Sequence, residues 1–389
     1  MNGKVIICGA GPVGLVTALR LARAGVSVCV LEKRETINVA SKASTFHPPT
    51  LDILDRLGLL EPVRGRTRVV RAAQYRTVAG PFARFPFEML ADLTEHPYRV
   101  HVEQAEIARA ALDALERLPH VRLLFGADVL SVESADGAAC VRFWHDGREH
   151  ALEADFVLVA NGAGSALREQ MGIGFDGKVY PGEVLRVITR APMADFIPGL
   201  DGVTYLFDGN RSISLLEMHD CWRVILRPSD AALDETRRDR AWVEAVLRDV
   251  LPAAIAAPPV DGWDLYRASR RIASRYAVGR AVLIGDAAHV TNTRGGMNMN
   301  CGMHDGCVIA NAVLRALESG DVAPVLAAAE RRHRVGSTLL AERTDRSVGD
   351  LSHWAERVRA IAADPREARA FLVETSMLDM IDREDIDAI

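Results

Sequence analysis

The run Cys8-Gly9-Ala10-Gly11-Pro12-Val13-Gly14 limits what this chain can fold into more than any other stretch. It follows Lys4-Val5-Ile6-Ile7, a short apolar run rich in β-branched residues. It precedes Leu15 to Ala24, where apolar residues recur at helical spacing. Strand, glycine turn and helix are the context that a dinucleotide fingerprint needs. Gly9 is expected to make the tight turn, Gly11 to let the backbone approach a pyrophosphate, and Gly14 to let helix and strand pack closely. The N-terminus of that helix offers free N–H groups and a positive dipole end to the phosphates, and Pro12 and Val13 are expected among the cofactor contacts. A second apolar run, Val26 to Leu31, ends in Glu32 and Lys33. Glu32 lies about 20 residues past the glycines, where an acceptor for ribose hydroxyls belongs. These residues specify a bound dinucleotide and leave its identity open.

At 389 residues the chain is long enough for about two domains. Its net charge of −5 argues against nucleic acid as the main partner. No apolar stretch reaches membrane-spanning length, and the fingerprint starts too early to leave room for a cleavable signal, so a cytoplasmic protein is expected. Six scattered cysteines without a CxxC pair read as free thiols in a reducing compartment, and no metal site is expected.

After the fingerprint, Thr50 to Leu59 reads as a helix stopped by Gly58. Residues 66–100 change to alternating strands around a Gly80-Pro81 turn. Gln104 to Leu118 is helical, and four short strands follow up to Glu153. Asp155 to Ala160 is a buried strand that runs into Asn161-Gly162-Ala163-Gly164. A second alternating block fills 181–230, with turns at Asp208-Gly209-Asn210 and His219-Asp220. Asp234 to Val250 is expected to be helical. Arg280 to Ile284 is one more buried strand, ending in Gly285-Asp286-Ala287-Ala288-His289; a helix follows from Asn300 through Glu318. The rest is helical and charged, and the acidic end, Asp379 to Asp387, reads as a solvated tail. The two alternating blocks are expected to share one domain lying over the nucleotide domain.

Three motifs in this order carry a family resemblance. The fingerprint, Asn161-Gly162, and the late Gly285-Asp286-Ala287-Ala288-His289 with Gly295-Gly296 and Met299-Asn300-Cys301-Gly302-Met303-His304-Asp305 resemble the class A flavoprotein monooxygenases. These are the aromatic hydroxylases of the p-hydroxybenzoate hydroxylase type. The resemblance covers nearly the whole chain. It implies an α/β fold: a Rossmann-like FAD-binding domain (1–65, 101–180 and 270–320), an inserted antiparallel β-sheet substrate domain (66–100 and 181–269) and a C-terminal helical segment (321–389). It implies bound FAD, with Glu32 and Lys33 at the AMP half and Asp286 on the ribityl chain. Gly296, Met299 and Asn300 would lie beside the isoalloxazine ring, and Lys42 and Gln104 would contact the flavin. NAD(P)H would be a transient co-substrate. The chain would act, as monomer or homodimer, on a small phenol-like or heteroaromatic ring with O2, through a flavin hydroperoxide.

Three positions depart from the family pattern. Asn161 stands where relatives usually have Asp, so one acceptor oxygen survives without the charge. Lys42 replaces the usual Arg, keeping the charge and losing the planar fork. Thr293 stands where proline is frequent, and it brings a hydroxyl to the flavin face. A base that draws a proton from the substrate would help. His47 is the first candidate, followed by Tyr75, Tyr205 and His219; Thr293 is a second candidate for a part in the chemistry. Arg84, Arg223 and Arg227 could hold an acidic substrate. Other redox chemistry on the same fold (a reductase, halogenase or rearrangement enzyme) and a non-enzymatic flavin module are the alternatives. No Trp-x-Trp pair of the halogenase kind is present.

Overall fold

A computed structural model describes residues 3–135, 137–208, 211–227, 238–346 and 351–389. Strand Lys4–Cys8 lies at the centre of a parallel sheet. Ser27–Glu32 and then Val121–Phe125 flank it on one side, and Phe156–Val159 and then Ala281–Leu283 on the other. Ala277–Val278 adds an antiparallel edge. Val5 to Cys8 are buried on both faces, as continuous apolar runs in parallel sheets must be. Helices Pro12–Arg23, Gln104–Glu116 and Met297–Ser319 pack together against the sheet, and the meander Asp128–Ser134, Ala139–His145, Arg148–Ala154 packs against its other strands.

The two alternating blocks join in one seven-stranded sheet. Its order is Gly262–Tyr266, Val184–Thr189, Trp222–Leu226, Arg211–Glu217, Val203–Asp208, Ala72–Thr77, Gly80–Pro86. Every neighbour is antiparallel except the seam between the blocks, where Val203 pairs with Ala73 and Leu206 with Arg76 in parallel. Helix Arg240–Val250 packs on this sheet, capped by the Asp239 side chain accepting from Trp242 N–H at 3.1 Å. The expected start of that helix, 234–237, and the turn residues Gly209 and Asn210 lie outside the described residues.

Helices Leu351–Ala363 and Pro365–Thr375 also close on the large sheet. Val358, Phe371 and Leu372 share a core with Tyr75, Phe85 and Phe207. The acidic end is not a solvated tail. Arg383–Asp387 is a helix with Asp385 and Ile386 buried, and it contacts the helix Met297–Ser319. Ile381 and Ile386 among the acids give it an apolar face, and three arginines fix it. Arg331 bonds Asp385 at 2.6 Å, Arg20 donates to the Ala388 carbonyl at 2.6 Å, and Arg383 pairs with buried Asp52 at 2.7 Å.

Candidate active site

A cavity of about 1170 Å³ runs from the fingerprint turn to the large sheet. Single small-molecule sites are about 300–1,000 Å³, so this one has room for a large cofactor and more. The three fingerprint glycines do three different things around it. Gly9 has φ of +117°, and a Cβ there would meet the Ala160 carbonyl oxygen at 2.5 Å. A Cβ on Gly14 would lie 2.2 Å from the Gly9 oxygen, so helix and turn touch through that hydrogen. A Cβ on Gly11 meets no protein atom within 4 Å and points into open space. The helix Pro12–Arg23 has no side-chain cap, which leaves its first N–H groups for a ligand. Glu32 is locked in place: one carboxylate oxygen accepts from Ala10 N–H at 2.9 Å, the other from Arg34 N–H at 3.0 Å. Pro12, Val13 and Lys33 also line this end.

Lys42, Gln104, Asn161, Asp286, Thr293, Gly296 and Met299 also line the cavity, and Asn161 stands against the fingerprint turn, its Cα 3.1 Å from where a Gly9 Cβ would lie. Asp286 opens its carboxylate to the cavity and accepts from the Asn298 amide at 2.8 Å. Although the carboxylate faces the cavity, the protein enclosing it desolvates it and raises its pKa, against the opposing pull of His289 and Lys42. Thr293 Oγ1 bonds the Tyr266 hydroxyl at 3.1 Å. Gly295 and Gly296 both take left-handed φ, and Gly296 caps the helix Met297–Ser319, which turns a second free helix N-terminus to the cavity. The helix thus starts three residues before the expected Asn300.

Asn300 and His47 do not reach the cavity wall. The Asn300 amide donates to the Thr45 and Gly296 carbonyls at 2.8 and 2.6 Å and accepts from His47 N–H at 3.0 Å. His47 is fully buried, and its Nε2 donates to the Gly295 carbonyl at 2.7 Å. Burial, helped by the Arg99 cation, pushes its pKa well below the ordinary histidine range. A neutral ring beneath the glycine turn braces that turn; it is not placed to take a proton from a ligand. His219 sits exposed between two strands, away from the cavity.

Arg84 pairs with Asp201 at 2.9 Å away from the cavity wall. Arg223 is 1% exposed and committed: it pairs with Glu103 and donates to Ser41 Oγ at 2.7 Å and the Lys42 carbonyl at 3.1 Å. Arg186, which the sequence reading passed over, does the same work beside it. It pairs with Asp264 at 2.7 Å and donates to the Lys42 and Ser41 carbonyls at 2.6 and 2.7 Å. Two sheet arginines therefore hold the Lys42 loop against the cavity. The available signal was an arginine inside the buried run Val184-Leu185-Arg186-Val187.

A side chamber of about 100 Å³ opens off the cavity at Gly295. Tyr75, Tyr205, Phe207, Trp354 and Phe371 form its aromatic walls, and Arg99, Ser212 and Arg294 sit where it meets the cavity. The Tyr75 and Tyr205 rings lie 5.0 Å apart. Burial and the neighbouring Tyr205 push the Tyr75 hydroxyl far up, so it stays protonated.

The FAD binding domain family matches residues 2–343. The chain belongs to this family. It is 30% identical over 322 residues to the para-nitrophenol 4-monooxygenase of Pseudomonas sp. (strain WBC-3), covering 81% of this chain and 79% of the relative. It is 28% identical over 380 residues to the 6-hydroxy-3-succinoylpyridine 3-monooxygenase of Pseudomonas putida, covering 94% and 95%. A crystal structure of a p-nitrophenol 4-monooxygenase from Pseudomonas putida superposes with a TM-score of 0.85 at 25% identity, over 97% of this chain and 98% of that one. The chain is thus an FAD-dependent aromatic monooxygenase, with the α/β fold, enzyme class and cofactor expected from its motifs. No helix among the described residues is long and apolar enough to cross a membrane.

Behind the cavity, the monooxygenase carries a buried charge network. Asp305 accepts from His289 Nε2 and Arg332 Nε, both at 2.6 Å, and Arg332 Nη2 contacts Cys301 Sγ at 3.3 Å. His289, Cys301 and Asp305 lie close enough to suggest a cation site, but the Arg332 guanidinium already occupies it. Burial alone would lower the His289 pKa; Asp305 outweighs it and holds the imidazolium well above the ordinary range. A raised folded pKa gives stability that is fully present below the unfolded value, about 6.5, and lost as pH rises through the folded one. Denaturation from pH 6 to 10 is therefore expected to show the gap between wild type and His289→Gln closing on the alkaline side. A gap that widens with pH would contradict this assignment.

Proposed function

We propose that the cavity holds FAD lengthwise, AMP half on the fingerprint and isoalloxazine end at Gly295-Gly296, with the phenol-like substrate in the aromatic side chamber. The observation that carries this reading is the continuity of one cavity from the Pro12–Arg23 helix N-terminus to a second helix N-terminus at Gly296. Its inner surface fits the cofactor at three points: the open space over Gly11, the locked Glu32 carboxylate and the cavity-facing Asp286. When bound, FAD supplies the redox chemistry, taking a hydride from NAD(P)H and activating O2 so that one oxygen atom reaches the ring.

The residues of the chain position and tune. Glu32 accepts from the ribose hydroxyls. The N–H groups after Gly11 meet the pyrophosphate. Asp286 accepts from the ribityl hydroxyls, and the N–H groups after Gly296 favour negative charge at the pyrimidine end of the ring. Lys42 adds positive charge on a loop that Arg186 and Arg223 hold in place. Asn161 offers a neutral acceptor, worth about 0.5–1.5 kcal/mol against about 1.5–3 for a charged one. Thr293, paired with Tyr266, presents its hydroxyl beside the chamber mouth. Tyr75 and Tyr205 are placed to hydrogen-bond the substrate hydroxyl. The relatives act, by name, on para-nitrophenol and on a hydroxylated succinoylpyridine; a hydroxyl-bearing six-membered ring with an electron-withdrawing substituent is the substrate class we assign here. Six free cysteines support a reducing, cytoplasmic setting.

Asp286→Ala removes charged hydrogen bonds worth about 1.5–3 kcal/mol in all, so FAD affinity is expected to fall about 10–100-fold. Fluorescence titration of apoprotein with FAD measures it. Unchanged affinity would move the ribityl chain away from Asp286.

A further inference from the structure

Among the described residues, Arg99 is a buried cation with no carboxylate partner. It lies in strand Arg99–His101 and is 3% exposed. Its Nη2 donates to the Thr375 carbonyl at 2.8 Å, and its guanidinium stands 4.8 Å from the Phe87 ring centre. Its Nε–H is buried without a hydrogen-bond partner. No Asp or Glu among the described residues forms an ion pair with it. Buried charges are ordinarily paired, and a guanidinium has the planar fork that matches a carboxylate. Arg99 lines both the side chamber and the large cavity.

Among the described residues, the chamber wall has no spare anion to offer. Glu374 is held by Arg346 at 3.1 Å, and Arg343 is committed to Asp379 and the Glu374 carbonyl. On the other side of the mouth stands Arg294, which donates to Ser212 Oγ at 2.7 Å. Burial, and then the neighbouring Arg227 cation, push its pKa down to about 10. Arg99 thus meets no carboxylate among the described residues, and an arriving anion would supply one.

We propose that Arg99, flanked by Arg294, is the recognition site for a carboxylate on the aromatic substrate, so that this enzyme selects acidic phenols or hydroxypyridines over neutral ones. The inference rests on the chamber being the substrate site. The ring lies against the aromatic wall to which Tyr75, Tyr205 and Phe371 belong, with its carboxylate on Arg99.

Holoenzyme titrated with 4-hydroxybenzoate and with 3-(4-hydroxyphenyl)propionate, each against its methyl ester, tests this through tryptophan fluorescence, since Trp354 is in the chamber wall. One of the two acids is expected to bind about 10–100-fold tighter than its ester. Arg99→Gln is expected to erase that preference while ester affinity stays nearly the same, and Arg99→Lys to keep part of it. Equal affinity of acid and ester for both pairs, including no binding of either, overturns the proposal, as does a preference that survives Arg99→Gln. Should Arg99→Gln fail to fold by circular dichroism, the wild-type ratio and Arg99→Lys decide. NAD(P)H oxidation on the same panel separates the two claims. Arg99-dependent acid binding without stimulated oxidation would sink the hydroxylase reading and leave this site; oxidation of esters and acids alike would do the reverse.

Discussion

Asp305→Ala is expected to destabilise the monooxygenase by about 3–5 kcal/mol, because it strips the carboxylate shared by His289 and Arg332 from a fully buried cluster and leaves the imidazolium and the guanidinium facing each other. The network ties three separate pieces of chain. Asp305 lies on the helix Met297–Ser319, His289 ends the loop after Asp286, and Arg332 lies on the helix Ala323–Val335 and also donates to the Met380 carbonyl. Both loop and helix N-terminus face the cavity, so FAD retention is expected to fall together with stability. Guanidinium unfolding at neutral pH reads the loss. A change under about 1 kcal/mol, the range of an exposed pair, would show that the cluster is not the clamp described here.

Gly11→Val and Gly14→Val are expected to fail in opposite ways. At Gly11 the backbone is extended, with φ of −74°, and a side chain enters open cavity. Fold and melting temperature should remain near wild type while the protein purifies without FAD and cannot be reconstituted. At Gly14 the added carbon meets the Gly9 carbonyl oxygen at 2.2 Å, a contact that must push helix from strand. Overpacking of this kind costs about 1–3 kcal/mol or more, and here it falls on the first turn of the sheet's central βαβ unit. The visible flavin spectrum and the thermal transition, taken together on both variants, separate the outcomes. A yellow Gly11→Val protein would contradict the placement of the pyrophosphate over Gly11.

These glycines show why the nucleotide half was legible in sequence. Each of Gly9, Gly11 and Gly14 answers a constraint set within a few residues of itself, so strand, turn and helix can be read locally. The large sheet was legible for the same reason, through alternation in 72–86 and 184–226. The chamber was not. Its roof comes from Leu351–Ala363 and Pro365–Thr375, far along the chain from Tyr75 and Arg99, and helical periodicity says nothing about which sheet a helix will cover. Arg99 and Arg186 look in sequence like charged interruptions of apolar strands; only the fold shows one bonding the backbone of the Lys42 loop and the other aimed at a cavity. His47 misled because proximity to that loop in sequence suggested proximity to a ligand. The residue instead lies under the Gly295 turn, its N–H tied to the Asn300 side chain 253 positions away.

The most direct test of the account is isotopic. Purified holoenzyme, NAD(P)H and 18O2 are incubated with para-nitrophenol, 4-hydroxybenzoate or 3-(4-hydroxyphenyl)propionate, and the product is weighed by mass spectrometry. The account predicts one 18O atom in the new ring hydroxyl for each NAD(P)H consumed in productive turnover, with the Gly11→Val protein inactive. Product oxygen drawn from water, or NAD(P)H oxidation that yields only hydrogen peroxide with every compound, would contradict it.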